Sequence, residues 1–285
     1  MSSQPVKEVS SNRSFNGYQK VFEHNSEQVG CVMKFGAYIP DHEPGKKIPV
    51  LFYLSGLTCT HANFIEKSGF QRFASQYGVI VVNPDTSPRG VKVEGDDDDY
   101  TLGVGAGYYL NATQDKWSKN YRMYSYVVEE LVPLVFNTFP VNSSHCGLFG
   151  HSMGGHGALT IGLRNPDLFK SISVFAAICN ASVAPLVQKP FAALLGEDRS
   201  TWAEYDAVEI AKKYTGPKQT ILVDQGDADV PYKDKNLLPE NLLAVNNANI
   251  DYDFRLRPGY DHGYYYIATF IEQHFEFHSK LWKNI

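Results

Sequence analysis

Ser152 lies in the stretch GHSMG, residues 150–154, which matches the pattern G-x-S-x-G. An apolar run with the character of a strand precedes it, and a segment with helical spacing follows and stops at Pro166. On such a strand–turn–helix the serine occupies a strained turn, and the flanking glycines let neighbouring backbone pass without a Cβ clash. This context predicts that Ser152 is a nucleophile and not part of a merely structural turn.

The general base for this serine is expected from far downstream. His151 and His156 flank it, but a neighbour on the turn points away, and a base on the same helix cannot easily face both hydroxyl and carboxylate. Both are predicted to be packing residues. His262 lies in a loop bounded by glycine and proline after the last predicted strand, where this motif's histidine is found. His274 and His278 fall within the following amphipathic helix and are predicted to lie at the surface.

The orienting acid is expected after a strand between the serine and the histidine. The predicted strand at 220–224 is followed by the turn QGDAD, residues 225–229. Acids in this arrangement commonly lie a few residues beyond the strand end, so Asp229 is preferred and Asp227 is the alternative. Asp261, the neighbour of His262, is expected to fix the loop rather than to act as the acid.

Together these residues describe acyl transfer by a serine hydrolase. His262 would take the Ser152 proton, Asp229 would hold the imidazole tautomer, and the serine would attack a carbonyl to form an acyl-enzyme that water hydrolyses. The tetrahedral intermediate needs two backbone N–H donors. The candidates are Met153, which follows the nucleophile, and Leu57, in the glycine-containing loop after a predicted strand.

The elements that would position these side chains alternate along the chain. Continuous apolar runs suit a parallel sheet covered by helices on both faces, whereas the first two runs suit an antiparallel hairpin at one edge. A mixed, mainly parallel α/β sheet in a single domain, residues 1–285, is therefore predicted. Strands are predicted at 18–24, 30–39, 50–54, 79–82, 146–149, 172–176, 220–224 and 251–256, and helices at 63–76, 121–139, 155–164, 203–213, 238–247 and 263–280.

One long connection, residues 87–113, has no clear periodicity. It is rich in glycine and carries four consecutive aspartates at 96–99. Connections of this length in compact domains are usually functional or mobile. A solvated acidic loop and a rim of the binding pocket are both open interpretations.

Composition excludes several classes of function. The net charge of −5 over 285 residues, with no basic stretch, argues against nucleic acid and anionic membranes as partners. The four cysteines are scattered without a CxxC pair, which argues against a metal site and a disulfide framework. The N-terminus lacks a signal peptide's apolar stretch, and no window approaches eighteen apolar residues. We expect a soluble, cytoplasmic protein that uses no metal and no cofactor.

Seven blocks, in order and spanning nearly the whole chain, resemble the S-formylglutathione hydrolase family, also called esterase D. The agreement of seven ordered blocks is far more specific than the serine motif alone. The blocks are SGLTCT (55–60), NPDTSPRG (83–90), GAGYYLNAT (105–113), NYRMYSYV (120–127), GHSMGGHGAL (150–159), DQG (224–226) and GYDHGYYYIATFI (259–271).

The resemblance implies an α/β-hydrolase fold, the triad Ser152, Asp229 and His262, and oxyanion donors at Leu57 and Met153. It implies hydrolysis of S-formylglutathione to glutathione and formate, in the glutathione-dependent removal of formaldehyde, with side activity on small acyl esters. Members of the family are often dimeric, so a homodimer is expected. The alternatives are a general short-chain or carbohydrate-ester carboxylesterase, and a non-catalytic ligand-binding protein of the same fold.

A formyl thioester implies a pocket that is small on the acyl side, with the larger glutathione lying along the rim. Aromatic residues could supply walls and hydroxyl donors there, and one thiol lies in the loop of the second oxyanion donor. The candidates to line the pocket are Cys59, Trp117 and Tyr260, with Tyr108, Tyr109 and Tyr264 as further aromatic side chains near it.

Overall fold

A computed structural model of the chain describes residues 6–283, and within that range nine strands form one sheet. The strands lie side by side in the order β1-β2-β3-β5-β4-β6-β7-β8-β9. The first three pairs, up to that of β3 with β5, are antiparallel, and every pair from β5 to β9 is parallel. The predicted mainly parallel α/β fold with an antiparallel N-terminal edge is confirmed. The strands are β1 (Lys7–Arg13), β2 (Gly17–Asn25), β3 (Val32–Pro40), β4 (Ile48–Leu54), β5 (Ile80–Pro84), β6 (Val141–His151), β7 (Ser171–Phe175), β8 (Gln219–Gly226) and β9 (Ile250–Arg257).

Helices cover the sheet. A π-helical turn, Tyr126–Leu131, joins α4 to α5, and two 3-10 segments, Pro185–Val187 and Arg199–Tyr205, precede α7 and α8. No helix within residues 6–283 has the length and apolar character needed to cross a membrane. The α-helices are α1 (His61–Lys67), α2 (Gln71–Tyr77), α3 (Asp115–Ser118), α4 (Met123–Ser125), α5 (Val132–Thr138), α6 (Met153–Arg164), α7 (Gln188–Leu195), α8 (Ala207–Lys212), α9 (Val230–Lys233), α10 (Pro239–Leu243) and α11 (Tyr264–Trp282).

The hydrophobic pattern accounts for the central strands. Strand β5 is buried at every position, and so is β7, because helices pack on both faces of the sheet there. The eight predicted strands are all present. Strand β1 was not predicted, because it is an edge strand whose polar sequence KEVSSNR is mostly exposed and carries no hydrophobic signal.

Several predicted helices have different limits. The segment 63–76 is two helices, α1 and α2, because Gly69 in the connection adopts a φ of +66°. The segment 203–213 begins as a 3-10 helix, and α8 starts only after Asp206, whose side chain accepts from the N–H groups of Val208 and Glu209. Helix α10 covers only part of 238–247, and α7 was not predicted.

The prediction that His274 and His278 lie at the surface is wrong, because both are fully buried where α11 packs on β7. Serine hydroxyls of the strand provide their polar partners: the His278 Nδ1 lies 2.6 Å from Ser171 Oγ, and its Nε2 lies 2.8 Å from Ser173 Oγ. The His274 Nδ1 lies 2.8 Å from the same Ser173 Oγ, and its ring stacks on Phe175. Burial lowers the pKa of His274 well below 6.5 and that of His278 to about 3, so both are neutral.

Candidate active site

Ser152 occupies a strained turn between the carboxyl end of β6 and the first residue of α6. Its backbone has φ 57° and ψ −120°, a conformation that non-glycine residues rarely adopt. A Cβ on Gly150 would collide with the Gly154 carbonyl, and one on Gly154 would collide with that of Leu54. Both glycines of the motif are therefore required by the close approach of backbone, as the sequence predicted.

His262 and Asp229 meet across two loops at the carboxyl edge of the sheet. His262 lies between β9 and α11, and its Nδ1 is 2.6 Å from the Oδ2 atom of Asp229. Asp229 is fully buried at the N-cap of α9, where its Oδ1 accepts the Tyr232 N–H at 3.2 Å. The Gln225 side-chain amide donates to Oδ2 at 3.1 Å. Three donors thus satisfy this buried carboxylate and fix its orientation towards the imidazole.

The other two aspartates of these loops have local partners. The Oδ1 atom of Asp227 accepts the backbone N–H of Gly259 at 2.7 Å, which ties the turn after β8 to the turn after β9. The Oδ1 atom of Asp261 accepts the N–H of Gly263 at 2.9 Å, and so fixes the loop that carries His262. The geometry therefore favours Asp229 over Asp227 as the orienting acid.

His151 and His156 are both packed into the protein, in line with the sequence analysis. The His156 ring is fully buried, its Nε2 lies 3.1 Å from the carbonyl oxygen of Tyr108, and burial lowers its pKa to about 4. The His151 ring lies against His262 with centroids 4.5 Å apart, and burial lowers its pKa well below 6.5. Among residues 6–283, neither ring nitrogen of His151 has a hydrogen-bond partner.

The loop after β4 lies directly against the nucleophile. A Cβ on Gly56 would be 3.1 Å from the Ser152 Cβ, so glycine permits this approach. Thr58, at φ +67°, donates its N–H to the Gly105 carbonyl at 2.9 Å. The carbonyl of the next residue, Cys59, accepts from Thr86 Oγ1 and, at 3.0 Å, from Arg89 Nη2. Hydrogen bonds to the connection 87–113 and to Thr86 and Arg89 therefore fix the loop that includes Leu57.

The two backbone groups that the sequence predicts as oxyanion donors belong to this loop and to α6. Leu57 lines the same cavity as Ser152. Met153 is the first residue of α6, so its N–H lies outside the hydrogen-bond ladder of the helix and at the positive end of the helix dipole.

A cavity of about 400 Å³ opens over Ser152 and brings the parts together. It is half-open to solvent, and the loops after β4 and β8, the 3-10 segment before α7 and the His262 loop form its walls. The lining residues that matter below are Leu57, Cys59, Tyr100, Ser152, Asp234 and His262.

Two of the three predicted pocket residues lie elsewhere. Trp117 is 3% exposed and packs edge-to-face against Tyr121, and Tyr260 packs against Phe270. Neither residue is part of the wall of the cavity. Cys59, by contrast, is among the residues that line the cavity; its Sγ lies 4.0 Å from the Tyr264 hydroxyl, and burial raises the pKa of the thiol.

Three other aromatic side chains correct the predicted picture. Tyr108 and Tyr109 are fully buried, and their hydroxyls donate to the carbonyls of Thr101 and Ser55. Tyr100 was not predicted, yet it lines the cavity and is 65% exposed. Tyr100 follows four aspartates, but no local pattern distinguishes it from Tyr108 and Tyr109, which are buried in the same connection.

The acidic run is partly neutralised by the fold. Asp99 pairs with Lys189 and accepts from the N–H and the hydroxyl of Thr101, and these contacts lower its pKa to about 2. The carbonyl of Asp96 accepts the N–H of Val104 at 2.6 Å. The connection is therefore ordered, and at Tyr100 it forms part of the rim of the cavity.

Comparison with known proteins finds relatives that are similar to this chain in sequence and in fold. Residues 26–277 match the family described as "Putative esterase". The S-formylglutathione hydrolases of Rattus norvegicus and Arabidopsis thaliana are each 50% identical to the chain over 96% of its length, and the matches cover 98% and 97% of those proteins. A solved structure of an S-formylglutathione hydrolase from Agrobacterium tumefaciens, 43% identical, has a TM-score of 0.92 and covers 96% of this chain and 99% of that one. FphF of Staphylococcus aureus, 19% identical with a TM-score of 0.71 over 92% of this chain and 98% of that one, shares the fold.

Proposed function

The chain belongs to the esterase family that includes the S-formylglutathione hydrolases, and from that premise we propose that it hydrolyses S-formylglutathione to glutathione and formate. One observation in the site carries the proposal. The imidazole of His262, held at 2.6 Å by the buried Asp229 carboxylate, opens onto the same cavity as a serine on a strained turn. That arrangement is what nucleophilic acyl transfer requires.

In the proposed reaction Ser152 Oγ attacks the formyl carbonyl while His262 Nε2 accepts its proton. Asp229 stabilises the imidazolium through Nδ1, and the oxygen that becomes negative is bound by the N–H groups of Leu57 and Met153. Each such donor contributes on the order of 3 kcal/mol to lowering the barrier. The tetrahedral intermediate then collapses, the C–S bond breaks, and the imidazolium returns the proton to the leaving sulfur.

The second half-reaction regenerates the serine. His262 removes a proton from water, the hydroxide attacks the formyl ester of Ser152, and a second tetrahedral intermediate uses the same two N–H donors. The C–O bond to the serine breaks, Oγ recovers its proton from the imidazolium, and formic acid leaves and loses its proton to solvent as formate. The protein's own side chains carry every proton, so the proposed cycle requires neither a metal ion nor a cofactor.

Further parts of the proposal rest on the family resemblance. We propose that residues 1–285 act as one hydrolase domain, that the substrate is met in the cytoplasm during formaldehyde removal, and that the chain forms a homodimer. The observation that all nine strands in residues 6–283 share one sheet supports the single domain. Sedimentation velocity tests the dimer, and a species of one chain's mass at every concentration would contradict it.

The test of the proposed function is a comparison of substrates. We expect kcat/KM of the wild-type protein for S-formylglutathione to exceed kcat/KM for p-nitrophenyl acetate. A higher value for the aryl ester would favour a general carboxylesterase. Failure of a fluorophosphonate probe to modify the protein, together with no turnover of either substrate, would favour a ligand-binding protein.

A further inference from the structure

In the part of the chain that the structure describes, the wall of the cavity carries one charged side chain, and its charge is negative. Asp234 is the one carboxylate among its lining residues, and within the described range no lysine or arginine lines it. Within residues 6–283 the Asp234 carboxylate makes no ion pair, and the next residue, Lys235, pairs with Glu240 at 3.1 Å. Asp99, which precedes the rim residue Tyr100, is already paired with Lys189. The cavity therefore offers a ligand one free negative charge.

Asp234 is attached rigidly to the proposed triad. It follows the last residue of α9, whose N-cap is Asp229, and its N–H donates to the Val230 carbonyl at 2.9 Å. One short helix thus spaces the orienting acid from this second carboxylate. A change of position of the Asp234 backbone relative to Asp229 would require α9 itself to move.

The wall around Asp234 is built by contacts distant in sequence. The Asn236 side chain accepts the Leu186 N–H at 2.8 Å, and its own N–H donates to the Pro231 carbonyl at 2.9 Å. The carbonyl of Leu237 accepts the Cys179 N–H at 2.7 Å. Residues on both sides of Asp234 are therefore fixed before a ligand arrives, and binding costs little ordering of this wall.

The substrate of the proposed function carries three charges beyond its thioester. Glutathione has one ammonium, on the γ-glutamyl residue, and two carboxylates. A lone carboxylate in the cavity wall attracts the ammonium and repels the carboxylates. We propose that Asp234 binds the γ-glutamyl ammonium of the leaving group, so that it determines specificity for glutathione thioesters while both substrate carboxylates stay in solvent. This inference rests on the proposed function.

The test pairs a variant with a matched substrate. In the deamino analogue of S-formylglutathione a glutaryl group replaces the γ-glutamyl residue, so the ammonium is absent and both carboxylates remain. Asp234→Asn should lower kcat/KM for S-formylglutathione, relative to p-nitrophenyl acetate, by about tenfold, the worth of a charged hydrogen bond in a half-open site. For the deamino analogue the same substitution should cause no such loss.

Two more variants sharpen the result. Asp251→Asn removes the same charge from β9, where Asp251 pairs with Lys218 outside the cavity, and should leave the ratio between the two thioesters unchanged. Asp234→Lys should reverse the preference, because a cation in this wall repels the ammonium that only S-formylglutathione carries, whereas both substrates have the same two carboxylates.

The outcomes separate the two proposals. Equal losses on S-formylglutathione and its deamino analogue in Asp234→Asn, or an unchanged preference in Asp234→Lys, would overturn the role of Asp234 and leave the proposed function standing. If the wild-type protein turned over p-nitrophenyl acetate but no glutathione thioester, the proposed function would fail and the ligand assigned to Asp234 with it.

Discussion

Two clusters of serine and histidine lie along the parallel strands of this sheet, and only one of them faces solvent. In the cavity, Ser152 and His262 share an open site with the buried Asp229. In the core beneath α11, the serines of β7 bind two histidines at 2.6 to 2.8 Å, closer than many catalytic pairs. We call these the cavity cluster (Ser152, Asp229, His262) and the core cluster (Ser171, Ser173, His274, His278).

The core cluster even has a carboxylate nearby. The Nε2 atom of His274 lies 4.0 Å from Asp224, but that carboxylate is committed to Arg257 and to the Tyr266 hydroxyl. All members of the core cluster are fully buried and the two imidazoles are neutral. A serine beside a histidine therefore does not by itself make a site. The cavity cluster differs in three ways. A carbonyl can reach it, its serine lies on a strained turn, and its carboxylate is held in contact with the imidazole.

The largest expected effect is loss of the base in the cavity cluster. His262→Ala should lower kcat by about 10⁵- to 10⁶-fold, since removal of a triad histidine abolishes activation of the serine. The unfolding midpoint should change little, because His262 is partly exposed in a loop. Steady-state assays of the purified variant measure kcat, and thermal unfolding measures the midpoint. A loss below a hundredfold would remove His262 from the mechanism.

The second-largest expected effect is loss of the orienting acid. Asp229→Asn should lower kcat by about 10⁴-fold, because an amide at this place favours the wrong imidazole tautomer. The matched control is Asp227→Asn, which alters only a contact with the Gly259 backbone and should change kcat far less. Should the larger loss appear in Asp227→Asn, the acid has been misassigned.

A substitution in the core cluster should lower the stability of the protein and leave its turnover nearly unchanged. His278→Ala removes a buried ring, leaves the Ser171 hydroxyl without its partner and leaves Ser173 with His274 alone, so unfolding should become easier by about 2–4 kcal/mol. Per folded molecule, counted by fluorophosphonate titration, kcat should stay within a few-fold of wild type. Urea unfolding measures the first quantity. A stable variant with a collapsed kcat would mean that the core cluster takes part in catalysis.

The last expected effect, the smallest within any one pH unit, is a dependence of stability on pH. Burial lowers the folded-state pKa of His278 from 6.5 to about 3, so across that window the unfolded chain binds the proton and the folded chain does not. Stability is then full above 6.5 and falls, as the pH drops, by up to about 1.4 kcal/mol per pH unit for this group. His278→Gln should show a shallower slope in urea unfolding over the window. An identical slope in variant and wild type would contradict a neutral, buried His278.

The same comparison explains what could be predicted from the sequence. The turn at Ser152 was predictable because its signal is local: two glycines, a strand before and a helix after. The meeting of His262 with Asp229 was predictable because each lies in a short turn soon after the end of a recognisable strand. Burial of His274 and His278 was not, since it depends on serines about a hundred residues earlier in the chain.

The lining of the cavity was the least predictable part. Trp117 and Tyr260 have the right residue types, but their rings pack against Tyr121 and Phe270, away from the cavity. Tyr100 and Asp234 line the cavity through loops without hydrophobic periodicity. Which face of such a loop meets a cavity depends on contacts such as Leu186 with Asn236, which no local pattern encodes.

Covalent labelling tests the distinction between the two clusters most directly. Wild-type protein is treated with a fluorophosphonate, digested, and the modified serine identified by mass spectrometry, with His262→Ala as the unreactive reference. We predict modification at Ser152, strong loss of labelling in His262→Ala, and no modification of Ser171 or Ser173. Labelling that persists in Ser152→Ala, or that falls on a serine of the core cluster, would contradict the account.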